Sequence, residues 1–227
     1  MPARELVQAK PTSSLYIIGM LSLVSTICGL VIVLAYQVTM EPIARNLAII
    51  TNEAVSEVLP GGAKQVIYAV QPNGEIRAVQ DTSGKEQKLF AVYDDAGGLL
   101  GVAVETAGPG YGDLIRLMYA YSPEKQAIVG FKLLDAKETP GLGDKIVTDP
   151  DFLANFQDLE ARLFEGKLEN PIQTVKHGTK SNPWEIDGIS GATVSSNAVG
   201  NIINDSAHKM IPLIHQNLEQ IRGGANE

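Results

Sequence analysis

The chain has 227 residues, with 18 Lys and Arg against 26 Asp and Glu, for a net charge of −8. That acidic balance argues against nucleic acid as a partner, because phosphate backbones bind basic surfaces. Its single cysteine, Cys28, rules out an internal disulfide and leaves no thiolate cluster for zinc or an iron–sulfur centre.

No charged residue occurs between Pro11 and Met40, and residues 15–36 are a nearly unbroken apolar run. At helical rise such a run crosses about 30 Å of hydrocarbon. Tyr16 and Tyr36 stand near its ends, where aromatic rings favour the membrane interface. A signal peptide would carry a shorter apolar stretch, about 7–15 residues, and a small-residue cleavage site. Leu34-Ala35-Tyr36-Gln37-Val38 does not offer one cleanly, so an uncleaved transmembrane helix is expected over 15–36. Cys28 lies inside it as a small packing residue. Arg4 and Lys10 precede the span while Glu41 and Arg45 follow it. This small positive-inside bias predicts a cytoplasmic N-terminus over 1–14, with the domain 41–227 on the periplasmic or extracytoplasmic side of the inner membrane.

Ile43, Leu47, Ala54, Val58 and Leu59 recur at helical spacing, and Pro60-Gly61-Gly62 stops the pattern, which predicts a helix over 41–59. The texture then changes to strands and turns. Strands are expected at 65–70 and 75–80 about Gln71-Pro72-Asn73-Gly74, and at 89–93 and 99–105 about Asp94-Asp95-Ala96-Gly97-Gly98. A third pair is expected at 114–121 and 127–134 about Ser122-Pro123-Glu124-Lys125. Three consecutive hairpins imply an antiparallel meander without helical crossovers, which argues against a Rossmann domain. A short helix follows at 149–156 with Phe152 and Phe156 on one face, then a strand at 172–176. Ala198, Val199, Ile202, Ile203, Met210, Ile214, Leu218 and Ile221 mark a long amphipathic helix from Val194, which Pro212 should kink and Gly223-Gly224 should end. The expected fold is α+β: one N-terminal transmembrane helix, then a mainly antiparallel sheet with flanking helices.

Immediately before the last helix the chain reads Asp187-Gly188-Ile189-Ser190-Gly191-Ala192-Thr193. Gly191 and Ala192 let a ligand approach the backbone, and a helix start beside the Thr193 hydroxyl favours an anion such as phosphate. An ordinary helix cap is the alternative on chemistry alone. Gly108-Pro109-Gly110-Tyr111-Gly112 lacks the dinucleotide spacing, and no helix follows it. His177, His208 and His215 form no ligand set by spacing and read as surface or capping residues. A hydrolase using Ser190 or Ser195 would need a Gly-x-Ser-x-Gly elbow, which is missing.

The segment from Asp187 to Thr193 resembles the attachment motif of the FMN-binding domain family, Asp-x-x-Ser/Thr-Gly-Ala-Thr/Ser. Glu138-Thr139-Pro140-Gly141-Leu142-Gly143-Asp144-Lys145 is similar to a second loop of membrane redox subunits in that family. The resemblance implies FMN held covalently, by a phosphoester, on Thr193, with Asp187, Ser190, Gly191 and Ala192 completing the motif. It implies that Glu138, Thr139, Pro140, Gly141, Leu142 and Gly143 line the isoalloxazine and that the segment of Tyr111 lies close to it, Tyr111 packing on the ring edge or being a buried core tyrosine. Lys145 would supply a cation near the ring or phosphate, or stand as a plain solvated lysine. Glu138 would meet the ring or ribityl chain, or pair with Lys137 or Lys145, and Pro183 and Trp184 would shield the flavin. No residue is implied to be catalytic and none to bind metal. The implied role is electron relay in an ion-translocating ferredoxin:NAD oxidoreductase of the Rnf type. A sodium-translocating NADH:quinone reductase, a stand-alone anchored flavoprotein reductase component and an unflavinylated scaffold are the alternatives. The implied partners are other redox subunits, the membrane and, during maturation, a flavin transferase.

Overall fold

The computed structural model of the protein describes residues 13–80 and 86–226. Arg4 and Lys10, on which the expected orientation rests, lie outside the described residues. Helix α1 runs from Ser14 to Val58 with Pro42 inside it, so the apolar run and the helix expected after Glu41 are one element. The described chain divides between Leu47 and Ala48 into two compact units. In the first, the helix turns its apolar side chains outward, Leu15 at 81% and Val38 at 73% exposure. An 18-residue window of α1 reaches a mean hydropathy of 2.6, and among the described residues it is the one helix long and apolar enough to cross a membrane.

The second unit is built on a sheet of seven strands: β1 (Lys64–Val70), β2 (Ile76–Val79), β3 (Lys88–Tyr93), β4 (Leu99–Pro109), β5 (Leu114–Ser122), β6 (Ala127–Asp135) and β7 (Leu159–Glu160). Their order is β2-β1-β3-β4-β5-β6-β7, and every neighbouring pair is antiparallel. The three expected hairpins all form. The meander departs from sequence order once, because β3 pairs with β1 rather than β2. Strand β2 is short and exposes Arg77 and Ala78, which suits an edge, whereas β1 buries Tyr68 and Ala69.

The central strands are buried on both faces. In β3, Leu89, Ala91 and Tyr93 enter one apolar cluster while Phe90 and Val92 enter another. In β5, Ile115, Leu117, Tyr119 and Tyr121 face the first, Met118 and Ala120 the second. Such strands read as continuous apolar runs because neither face meets water. The second cluster is closed by Ala54, Val55, Val58 and Leu59, from the end of α1 and the residue after it. Ile43 and Leu47, which share the expected helix, are exposed. At Gly130 of β6 a Cβ would overlap the Val58 carbonyl oxygen, so glycine lets the helix end rest directly on the sheet.

The first cluster is closed by α4 (Thr193–Gln216), which carries Val199, Ile202, Ile203, Ala207, Ile211 and Ile214 onto the sheet. Tyr119 Oη and Ser206 Oγ lie 3.0 Å apart, and Tyr121 Oη and His215 Nε2 2.8 Å. Burial followed by the charge of Arg222 lowers the His215 pKa. Helix α4 continues through Pro212. The interruption falls at Asn217, before α5 (Leu218–Gly223). There the Asn217 side chain donates to the Leu213 carbonyl at 2.9 Å and to the Gly74 carbonyl at 3.2 Å, replacing helical continuity with a tie to the β1–β2 turn.

In chain order between β6 and α4 come α2 (Lys145–Thr148), α3 (Pro150–Ala154), the hairpin of β8 (Leu163–Phe164) and β9 (Lys167–Leu168), and a parallel pair, β10 (Gln173–Val175) with β11 (Glu185–Asp187). Asp149 caps α3 through the Phe152 amide; the helix expected over 149–156 ends at Ala154 and passes into a 3-10 turn over Asn155–Gln157, and Phe152 and Phe156 are both buried, edge to face. The β8–β9 hairpin and the partner of β10 carry no periodic signal, since strands of two or three residues are too short to show one. The loop into β11 is tied by Glu185. Its carboxylate accepts from Ser181 N at 2.7 Å, Asn182 N at 3.0 Å and Asn182 Nδ2 at 2.9 Å. These donors, the Ser181 amide first, hold the Glu185 pKa down at about 2.

Gly130→Ala is expected to push the end of α1 off the sheet and to cost about 1–3 kcal/mol, measured as a lowered chemical-denaturation midpoint. The Glu185 contribution is complete above its unfolded pKa of about 4.3 and is lost as pH falls from there towards the folded value. Glu185→Gln therefore flattens the acid limb of a stability–pH curve between those two values, and an unchanged limb would refute the assignment.

Candidate functional site

Strand β11 delivers Asp187 to the start of the glycine loop, and two side-chain bonds from Asn155 fix its backbone there. Asn155 Oδ1 accepts from Asp187 N at 3.0 Å, and Asn155 Nδ2 donates to the Asp187 carbonyl at 3.2 Å. The Asp187 carboxylate accepts from Gly178 N at 2.7 Å and lies 3.4 Å from His177 Nδ1. That same His177 nitrogen is 3.1 Å from the Gly188 carbonyl oxygen. His177 thus braces the loop rather than sitting free on the surface. His208 is exposed, as expected, and His215 is engaged with Tyr121.

Beyond Gly188 the chain turns over Ile189 and Ala192, whose N–H donates to the Ile189 carbonyl at 3.1 Å. Gly191 carries the positive φ of +84° that this turn requires. Ser196 Oγ locks the turn from the helix side, accepting from Ile189 N at 3.1 Å and donating to the Ala192 carbonyl at 2.9 Å. Helix α4 then starts with Thr193 at its first position. Its N-cap, Ala192, offers no side-chain oxygen, so the ordinary cap loses its capping bond. Ser190, Gly191, Thr193 and Val194 are exposed, whereas Ala192 is buried.

The second motif follows β6 directly. The Thr139 carbonyl accepts from Gly143 N at 2.9 Å and Leu142 N at 3.2 Å, curling the loop through Gly141 at φ +76°. Gly143 is buried, while Leu142 is half exposed and Thr139 and Pro140 are exposed. Glu138 accepts from Ser195 Oγ at 2.5 Å through Oε2 and from Tyr111 N at 3.1 Å through Oε1. It makes no ion pair with Lys137 or Lys145. Lys137 instead reaches Asp113 at 3.3 Å. The Leu114 amide, then Lys137, lower the Asp113 pKa.

One carboxylate therefore gathers three segments that the sequence keeps apart: the β4–β5 loop at Tyr111, the loop after β6, and the first turn of α4. Lys145 lines a separate cleft of ≈ 180 Å³ with Asp149, Asp151, His177, Asp187 and Ser190. Trp184 is half-buried and is not part of that lining. Sequence reasoning reaches Ser195 only as a hydrolase nucleophile, and it misses Ser196 and Asn155. A pair of serines two and three residues after Thr193 is the available signal.

Arranged this way, the site offers an exposed hydroxyl at a helix start, first-turn amides that have no acceptor within the helix, and an apolar rim. The rim is Tyr111, Leu142 and Val194, at 70%, 50% and 57% exposure. The G subunit of the ion-translocating oxidoreductase complex of Cereibacter sphaeroides is 29% identical over 199 residues, covering 87% of this chain and 83% of that protein. The protein of the same name from Methanosarcina acetivorans is 28% identical over 176 residues, covering 78% and 83%. The crystal structure of the C subunit of the Na(+)-translocating NADH-quinone reductase from Parabacteroides distasonis shares the fold, with a TM-score of 0.59 at 18% identity over 75% of this chain and 94% of that one. Residues 110–208, which hold both loops and the start of α4, match the FMN-binding domain.

Proposed function

We propose that this chain carries FMN in phosphoester linkage on Thr193 and relays electrons within a membrane-bound ion-translocating oxidoreductase complex. The observation that carries the reading is the presentation of the Thr193 hydroxyl, exposed at the head of the 24-residue α4 directly after the positive-φ Gly191 and its neighbour Ala192. The first amides of a helix have no acceptor within it, and the helix dipole adds to their pull on an anion. A phosphate on Thr193 would meet both. The exposed Tyr111, Leu142 and Val194 suit a flat aromatic ring, which would cover apolar surface otherwise left in water. When bound, FMN supplies reversible electron uptake and release. The protein's own part is to hold the ring, screen it and tune it. Lys145, in the cleft beside Ser190, is the cation placed to favour a more negative flavin.

Relatives of the G type align over most of their own length and most of this chain, which favours that type over the C subunit of a quinone reductase. The partners are then other redox proteins of the complex, which hand electrons to the flavin and take them from it. A flavin transferase installs the cofactor, as the resemblance of Asp187–Thr193 to the attachment motif implies. Helix α1 anchors the chain, with the flavin domain on the side away from the cytoplasm.

Thr193→Ala removes the ester oxygen at an exposed position and leaves folding within about 0.5 kcal/mol of the parent. Co-produced with a flavin transferase, the parent gives a fluorescent band on a denaturing gel and the variant gives none. A band that persists in the variant would end the Thr193 assignment. Thr193→Ser retains part of the signal.

Gly143→Val acts differently, because a Cβ there meets Ser195 Oγ at 2.8 Å and Glu138 Oε2 at 2.9 Å. The ester survives, so gel fluorescence stays, while the visible flavin spectrum shifts. A parent-like spectrum would remove this loop from the ring's surroundings.

A further inference from the structure

A phosphoester fixes one end of FMN and leaves the ring on a chain of rotatable bonds. Something else must hold the ring, and the apolar rim is spread over three separate segments. Tyr111 belongs to the β4–β5 loop, Leu142 to the loop after β6, and Val194 to the first turn of α4. The Glu138 carboxylate bonds to the first and last of these segments, and Glu138 itself belongs to the middle one. Its Oε2 accepts from buried Ser195, the residue directly after Val194, and its Oε1 from the amide of Tyr111 itself. Gly143 and Gly110 flank it, and a Cβ at either would come within 2.9 Å of a Glu138 oxygen. The carboxylate thus occupies a cradle shaped by two missing side chains. Both of its oxygens are engaged within the protein.

We infer that Glu138 is a positioning residue that sets the spacing of Tyr111, Leu142 and Val194, and so fixes the flavin ring after attachment rather than promoting attachment. Hydrogen bonds to an ionised acceptor are about twice as strong as neutral ones, which makes a carboxylate suited to the task. The inference rests on the reading that FMN is carried on Thr193. A ring held between fixed walls turns with the whole domain. A ring tethered only by its phosphate also swings on the faster timescale of side chains and loops.

The test uses the full-length chain in detergent, co-produced with a flavin transferase, with Glu138→Ala, Ser195→Ala, their double variant and Glu138→Gln. Gel fluorescence reads attachment, and time-resolved anisotropy of the flavin emission reads ring mobility. Attachment is expected at parent level throughout. Glu138→Ala and Ser195→Ala each gain a fast nanosecond component, the double variant gains no more than Glu138→Ala, and Glu138→Gln lies between parent and Glu138→Ala. Unchanged anisotropy in Glu138→Ala, with the band present, overturns the inference and leaves the attachment reading intact. A missing band in the parent overturns the attachment reading, and this inference with it. If Glu138→Ala fails to fold, Ser195→Ala decides alone, because it deletes one oxygen: a lowered melting temperature without a fast component would mean a structural role only.

Discussion

The sheet is covered on both faces, by α4 on one and by the last turns of α1 on the other, and the site depends on that arrangement. Two-sided burial fixes β4, β5 and β6 in register, so the loops leaving them emerge at set positions. The β4–β5 loop and the segment after β6 are then held where Glu138 can reach both Tyr111 and Ser195. Tyr119 and Tyr121 tie α4 to the same strands through Ser206 and His215, so the helix start is registered against the loops it meets.

Carboxylates crowd a place read as an anion site, and three of them are supplied with donors from the chain. Asp187 is met by the Gly178 amide and His177, Asp113 by the Leu114 amide and Lys137, and Glu138 by Ser195 and the Tyr111 amide. Their negative charge is balanced locally by the loops they brace. Lys145 shares the cleft beside Ser190 with Asp149, Asp151 and Asp187.

The braces also explain why the attachment loop is rich in small residues. Gly188 must let the Val175 carbonyl approach, Gly191 must take a positive φ, and Ala192 must bury at the helix cap. Ser196 and Asn155 supply the hydrogen bonds that a loop with so few side chains cannot make for itself. The resulting turn keeps Thr193 outside while its neighbours are held within the fold.

Much of this is written locally in the chain. Asn73-Gly74, Gly97-Gly98 and Ser122-Pro123 announce their hairpins because turn chemistry acts over four residues, and the apolar rows of α1 and α4 announce helices because their period is local too. The attachment motif is legible for the same reason, since its glycine, its hydroxyl and the helix start lie close together in the chain. What the sequence could not decide were meetings across distance. Glu138 and Ser195 are 57 positions apart and Tyr93 and Ile221 are 128 apart. The parallel pairing of β10 with β11, the place of β2 at the edge and the break at Asn217 are of the same kind. Each depends on which surfaces become neighbours once the sheet is buried on both sides, and only the tertiary structure settles that.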